Sequence, residues 1–286
     1  MSGATTSSSV DKEVGQYKAM RCEKTEHIAK VTLIGPGKGN AMGPDFWSEM
    51  PKLFSALDQD DQVRVVIVSG EGDNFSYGLD LPAMISQPGF KVIGQNLAAE
   101  RTGLLDMALQ MQKAINCVAS CRKPVIAAVH GWCIGAGLDL ISACDIRLAS
   151  SDAKFSLREV KVAIVSDMGS LQRLPYVIGE AHTRDLALSG RDIDAPYAEK
   201  IGLVTEVLAS PEALFQSAQK RAEEIAENPP LVVQGIKRVM NQSREQQIES
   251  GLKFVTLWNS AFLQSNDLAE AIMAFQQKRP PKFKGN

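Results

Sequence analysis

Residues 124–140, PVIAAVHGWCIGAGLDL, compress a strand, a glycine turn and the start of a helix into one short run. Pro124–Val129 is apolar and rich in β-branched residues, the composition of a buried strand. Gly131 and Gly135 let the chain turn sharply and bring its backbone close to a neighbouring group. An apolar helical pattern begins at Ala136, and the first turn of a helix presents N–H groups that lack intrahelical acceptors, at the positive end of its dipole. A developing oxyanion suits that position; a tight connecting turn without a ligand is the competing reading. Leu140 stands where a dinucleotide fingerprint would need its third glycine, which disfavours that motif.

Outward from this run, β-rich segments alternate with helical ones. His27–Ile34, Val63–Ser69, Asp145–Leu148, Lys154–Ser156 and Leu203–Val207 read as strands. Asp45–Leu57 and Gly103–Val118 read as helices, the second with Leu104, Leu105, Met107, Leu109, Met111 and Ile115 at helical spacing. After about residue 168 the pattern is nearly all helical, over Pro211–Glu227, Pro230–Asn241, Ile248–Leu263 and Asp267–Gln277. The expectation is therefore an α/β core over residues 17–210, a helical C-terminal region over 211–286 forming one functional unit with it, and a disordered polar tail over 1–16. Ser86–Val92 reads as a mobile loop that either covers a ligand or merely connects two elements.

A second glycine-assisted turn, Asn74-Phe75-Ser76-Tyr77-Gly78-Leu79-Asp80-Leu81, follows the strand VRVVIVSG. Two such turns from separate strands could supply the two N–H donors of one oxyanion hole. Three acids follow: Asp139, Glu159 and Asp167. Singly, each has a structural explanation, namely a dipole-stabilised carboxylate in a first helical turn, a surface partner for Arg158 or Lys161, and a helix N-cap. No Gly-x-Ser-x-Gly nucleophile setting is present, and Gly35-Pro36-Gly37-Lys38-Gly39-Asn40 lacks the hydroxyl that ends a P-loop.

Composition narrows the class. The formal charge of −2 and the absence of basic blocks argue against nucleic acid. Five cysteines (Cys22, Cys117, Cys121, Cys133, Cys144) form no C-x-x-C pair, and there are three histidines, so neither a disulfide framework nor a metal centre is expected. No apolar run reaches the roughly 20 residues of a membrane span, and the N-terminus has no signal or transit pattern. A soluble, cytoplasmic protein with no membrane partner is the expectation.

These pieces, in their order, resemble the enoyl-CoA hydratase/isomerase (crotonase) superfamily from about Lys24 to the C-terminus. The markers are Asn40-Ala41-Met42, the turn at 75–80, the Gly-x-Gly-x-Asp helix start at 135–139, Cys144-Asp145, Gln172-Arg173-Leu174-Pro175 and Ala198–Val204. Within it, Asp139–Asp145 and Arg158–Ala163, with the spacing of the three acids, are most similar to the Δ3,5-Δ2,4-dienoyl-CoA isomerase subgroup; hydratases typically carry Glu at the first acidic position and Gly at the third. The resemblance implies a ClpP/crotonase-like spiral of ββα units with helical C-terminal trimerisation, as a homotrimer or homohexamer. It implies an acyl-CoA thioester substrate in fatty-acid β-oxidation, with CoA as part of the substrate and no separate cofactor or metal.

By the same resemblance, Asp139, Glu159 and Asp167 are the catalytic acids. The N–H groups of Leu79 and Ala136 form the oxyanion hole, and Ser76, Tyr77, Gly78, Asp80 and Gly135 line the substrate. The family usually has Gly where Ala136 stands, so Ala fits only if its φ is negative. Glu159 and Asp167 would exchange protons with C2 and C6 of the acyl chain, in an order the sequence leaves open, with Asp167 taken first for C2. Asp139 would set their protonation. Two alternatives stay open: a 2-enoyl-CoA hydratase using Asp139 and Glu159 to activate water, and a non-catalytic crotonase-fold binding protein.

Overall fold

A computed structural model of the protein describes residues 12–13, 16–87 and 98–286. In chain order it contains strands β1 (Lys12–Glu13), β2 (Met20–Thr25) and β3 (Ile28–Leu33), helix α1 (Pro44–Gln59), β4 (Val65–Gly70), and helices α2 (Leu81–Ile85) and α3 (Ala98–Ser120). Then come β5 (Val125–Val129), β6 (Trp132–Ile134), α4 (Ala136–Ser142), β7 (Ile146–Ser150) and β8 (Lys154–Ser156), a 3-10 turn over Glu159–Val162, and helices α5 (Ser170–Arg173) and α6 (Pro175–Ser189). The rest is β9 (Ile193–Asp194), α7 (Ala195–Lys200), β10 (Glu206–Leu208) and helices α8 (Pro211–Ala226), α9 (Pro230–Phe262) and α10 (Asn266–Gln276).

The larger sheet runs β1-β2-β3-β4-β5-β7-β10, antiparallel through its first three strands and parallel from β3 onward. The parallel strands are buried on both faces, as strands covered by helices must be. Period-two alternation divides their side chains. Val65, Ile67, Ile126, Ala128 and Leu148 meet Leu214, Ala218 and Ala222 of α8, while Val66, Val68, Val125, Ala127 and Val129 point into the main core under α1 and α3. A second sheet, β6-β8-β9, holds Trp132–Ile134 against Lys154–Ser156. This mixed α/β architecture with a helical C-terminal region is the crotonase spiral.

Several elements differ from the sequence reading. β2 escaped it because Arg21, Glu23 and Lys24 interrupt its apolar residues, although Met20 and Cys22 face the core. Residues 230–262 form one continuous helix where two were expected. Asn241 is not a terminator there; its amide donates to Ala119 O at 3.3 Å, and the helix-favouring residues of Gln242–Gln247 carry the helix on. Of the tail expected over 1–16, Lys12–Glu13 pairs with Glu23 and Lys24, and residues 1–11 and 14–15 lie outside the described residues. The loop expected over Ser86–Val92 lies outside them from residue 88 on. No helix among the described residues is long and apolar enough to cross a membrane.

One buried ion pair joins α9 to the core. Lys237 Nζ donates to Asp145 Oδ2 at 2.7 Å and to the carbonyls of Lys123 and Val118 at 3.1 and 3.3 Å, while Asp145 Oδ2 also accepts the Val125 N–H. The Lys237 side chain is 6% exposed. The Asp145 side chain is 24% exposed and keeps the Val125 N–H, so loss of Lys237 costs less than stranding a fully buried charge, roughly 1–3 kcal/mol. Lys237→Ala is therefore expected to lower the urea midpoint clearly, with far-UV circular dichroism showing native helix content before the transition.

Candidate active site

Strands β4 and β5 are parallel neighbours, so the turns that leave their C-terminal ends emerge side by side, where open α/β sheets bind ligands. The first turn is laid along the second. Phe75 N–H donates to His130 O, Ser76 N–H to Trp132 O and Ile134 N–H to Ser76 O, each at 2.9 Å. From the other side the segment around Asn40 braces it: Tyr77 N–H reaches Gly39 O at 2.6 Å, and the Asn40 amide donates to Asn74 O at 2.8 Å.

Peptide planarity then orients two N–H groups. Met42 N–H donates to Gly78 O at 2.7 Å, so the N–H on the far side of that peptide, which belongs to Leu79, points the opposite way. Gly135 O accepts from Leu138 and Asp139 N–H at 2.8 and 3.0 Å along α4, so the Ala136 N–H points out of the helix start. Neither N–H has an acceptor among the described residues. The turns touch: a Cβ on Gly78 would come 2.5 Å from Ile134 O and 3.0 Å from Ala136 N, and Gly78 has φ +81°. The left-handed backbone falls on Gly135, at φ 53° and ψ −118°, which leaves Ala136 in ordinary helical geometry as the first residue of α4.

The acids gather on the same side. A Cβ on Gly135 would lie 3.4 Å from Glu159 Oε1, next to the Ala136 amide. Asp139, 1% exposed, accepts the Ser170 N–H at 2.6 Å and feels the Arg173 charge. Asp167 accepts from the Asn259 amide at 2.7 Å. Burial raises all three carboxyls. It lifts Asp139 to about 6, with the Ser170 hydrogen bonds and Arg173 limiting the rise. It lifts Asp167 to about 7, against the pull of Asn259 and with help from the Asp139 charge. It lifts Glu159 to about 8, with the charges of Asp139 and Asp167 adding to the rise. The Glu159 Oε2 atom is buried without a hydrogen-bond partner. Three carboxyls that sense one another's charge titrate as a set, so proton donor and proton acceptor coexist near neutrality.

The remaining residues assigned by resemblance divide. Gly78 and Gly135 are where backbone comes closest to the facing turn and to Glu159. Ser76 is fully buried; its hydroxyl donates to Asn40 O at 2.9 Å and accepts the Gly78 N–H at 3.0 Å, so its side chain braces the turn and has no surface left for a substrate. Asp80 caps α2 through the Ala83 N–H at 3.1 Å. Tyr77 is 47% exposed and lies against Gly39. The sequence reading missed Asn259, Gln112 and Ser170. No local motif marks Asn259 or Gln112, whereas Ser170 three residues after Asp167 could have been noticed. Among the described residues, no group of His, Cys, Asp or Glu is arranged to hold a metal ion.

The shifts carry a stability consequence. A carboxyl whose folded pKa is raised keeps its proton where the unfolded chain has lost it, so stability is full below the unfolded pKa and declines as pH rises through the folded one. For Glu159 that window runs from the ordinary glutamate value of 4.5 to about 8. Glu159→Gln is therefore expected to melt several degrees above wild type at about pH 9 and to lose that advantage toward about pH 4.5. Scanning calorimetry across that range checks it; a constant difference would contradict the placement of this carboxyl.

A family model described as enoyl-CoA hydratase/isomerase matches residues 23–286. The chain is 40% identical, over 99% of its length and 97% of the relative's, to the mitochondrial Delta(3,5)-Delta(2,4)-dienoyl-CoA isomerase of Dictyostelium discoideum. It is 45% identical to the peroxisomal one of Arabidopsis thaliana, with 87% and 89% covered, and 38% identical to the mitochondrial one of Homo sapiens, with 93% and 81% covered. Among solved structures, an enoyl-CoA hydratase/isomerase from Pseudoalteromonas atlantica T6c superposes with a TM-score of 0.81 at 27% identity, covering 93% of this chain and 100% of that one. The cytoplasmic location expected from sequence is corrected here, because these relatives are named mitochondrial or peroxisomal. Unpaired cysteines report a reducing interior, and an organelle matrix satisfies that as well as the cytosol does. With the family model covering nearly the whole sequence and the crotonase spiral observed, the chain belongs to the enoyl-CoA hydratase/isomerase family.

Proposed function

We propose that this protein is a Δ3,5-Δ2,4-dienoyl-CoA isomerase. The observation that carries the reading is a third acid, Asp167, held by Asn259 in the segment whose Ser170 N–H binds Asp139, with Glu159 beside the turn that presents the unpaired Ala136 N–H. The names of the Dictyostelium, Arabidopsis and human relatives support it.

In a 3,5-dienoyl thioester, C2 lies between the carbonyl and the diene, so loss of its proton spreads the electron pair over C2, C4, C6 and the thioester oxygen. The N–H groups of Leu79 and Ala136 would take that oxygen, at roughly 3 kcal/mol per donor in the transition state. Return of a proton at C6 leaves double bonds at C2 and C4. We assign Glu159 to C2, because its Oε1 lies beside the residue preceding the Ala136 amide; Asp167 then serves C6, the reverse of the order taken first from the sequence. The forward step needs Glu159 ionised and Asp167 protonated. Both groups are raised into the neutral range, Glu159 to about 8 and Asp167 to about 7, so that arrangement and its opposite lie close together compared with a chemical barrier. Asp139 positions and tunes both through its charge. No other group is required in the scheme, and CoA serves as the handle of the substrate.

The proposal extends to assembly. Along α9 the exposed residues Phe254, Trp258 and Phe262 stack at ring separations of 6.3 and 4.7 Å, which supports a homotrimer or homohexamer built through the C-terminal helices.

The test is incubation with 3,5-octadienoyl-CoA, following the ultraviolet absorption of the conjugated 2,4-product. Wild type should convert it, and Asp167→Asn should be slower by roughly 10²–10⁴-fold. Asp139→Asn removes a charge that raises both neighbours, so the limbs of its pH–rate profile should move to lower pH. Equal rates for wild type and Asp167→Asn would defeat the reading. Rapid hydration of crotonyl-CoA that is indifferent to Asp167→Asn would favour a 2-enoyl-CoA hydratase.

A further inference from the structure

Asn259 lies in α9, far along the chain from the three acids, and is 3% exposed. Its Nδ2 donates to Val165 O at 2.8 Å and to Asp167 Oδ2 at 2.7 Å. A main-chain carbonyl can only accept, so Val165 O fixes the amide with its NH2 group toward Asp167. Oδ2 of Asp167 is thereby a standing acceptor, and a proton on this carboxyl has to sit on Oδ1. The main chain of Asp167 is held by the same helix pair. Gln112 Nε2, from α3, donates to Asp167 O at 2.7 Å and to Thr256 Oγ1 at 2.8 Å, and Thr256 in turn donates to Leu252 O at 2.8 Å. Glu159 is treated differently, since its buried Oε2 has no partner at all. Asp167 is oriented by α9, whereas Glu159 is supported from its own segment, by Ser166 and the local backbone.

We propose that Asn259 is a positioning residue for proton transfer, reserving Asp167 Oδ2 as an acceptor so that Oδ1 alone exchanges a proton with the acyl chain. This rests on the isomerase reading for its substrate, and on the hydrogen-bond geometry for the rest. The charged groups that face Asp167 are the carboxyls of Asp139 from α4 and Glu159 from the 3-10 turn; α3 and α9 meet it with the neutral Gln112 and Asn259. With burial and the Asp139 charge disfavouring its anion, the Asn259 donor is the side-chain contact that favours it.

The experiment compares wild type, Asn259→Leu and Asp167→Asn. Leu has a similar volume and no donor. Infrared titration follows the protonated carboxyl C=O stretch, with the Asp167 band identified by its loss in Asp167→Asn. In Asn259→Leu that band should titrate about one pH unit higher. On 3,5-octadienoyl-CoA, kcat should fall about tenfold or more while KM stays within about twofold. Circular dichroism and the melting temperature establish that the variant is folded; if Leu is not accommodated, Asn259→Ala is read in the same way. An Asp167 band that titrates as in wild type, or an unchanged kcat, overturns the proposal. Should wild type convert no dienoyl-CoA, the isomerase reading fails, while the infrared titration, which needs no substrate, still decides the role of Asn259.

Discussion

The direction of two peptide planes governs what this protein can bind. Gly78 O is taken by Met42 N–H, and Gly135 O by the first turn of α4, so the Leu79 and Ala136 N–H groups point away from those bonds and have no acceptor among the described residues. Their proximity follows from topology: β4 and β5 are adjacent and parallel, and the turn after one is hydrogen-bonded along β6, which continues the other. Unpaired main-chain donors away from water are costly to leave without an acceptor. Any oxygen acceptor offsets that cost, and one that gains negative charge offsets more of it than a neutral carbonyl does, which is the basis of the proposed role of this pair. The glycines serve the same end. Gly78 leaves no Cβ between the two turns, and Gly135 adopts a backbone conformation that lets Ala136 begin the helix without strain.

The acids raise an opposite problem, because carboxyls enclosed together cannot all ionise. Burial disfavours every anion, and each anion that forms disfavours the next. The fold resolves this unequally. Asp139 receives the Ser170 N–H and the attraction of the Arg173 charge and ionises first; Asp167 receives one amide; Glu159, supported by Ser166 but with Oε2 unpartnered and two acids nearby, holds its proton longest. A gradient of hydrogen-bond support has become an order of protonation. It is maintained at the expense of stability at higher pH, where the folded state must ionise groups that water would ionise more easily.

The strand–turn–helix of residues 124–140 was legible because its signals are local: β-branched residues, then glycines, then an apolar helical period. The acid trio was legible only through its spacing in a family resemblance, since each member alone has an ordinary structural explanation. Asn259 was not legible. Its partner lies 92 residues away, and on α9 it shares a mixed buried face with Thr256 and Ser260, with nothing to mark it as more than a polar residue in a helix. Gln112, 55 residues from its acceptor, was hidden in the same way. Ser76 shows the converse: its position in the turn suggested substrate contact, and burial between Asn40 and Gly78 turned it into a brace. Contacts within one turn are written in sequence, whereas contacts made by docking a distant helix are not.

The continuity of α9 gains its meaning from this. Lys237 is fastened near one end to Asp145 and to the carbonyls that close α3, and Asn259 holds Asp167 near the other. The 22 intervening steps span about 33 Å of helix. A helix transmits position along its axis far better than a loop does, so a break at Gln242–Gln247, as the two-helix reading supposed, would have left the anchor and the amide free to move independently. As a single rod gripped by α3 along part of its length, α9 ties the orientation of one carboxyl to the packing of the core. The C-terminal region is thus part of the scaffold that holds Asp167, and the faces of the same helix are divided: Asn259 and Thr256 are buried, Phe254 and Trp258 exposed.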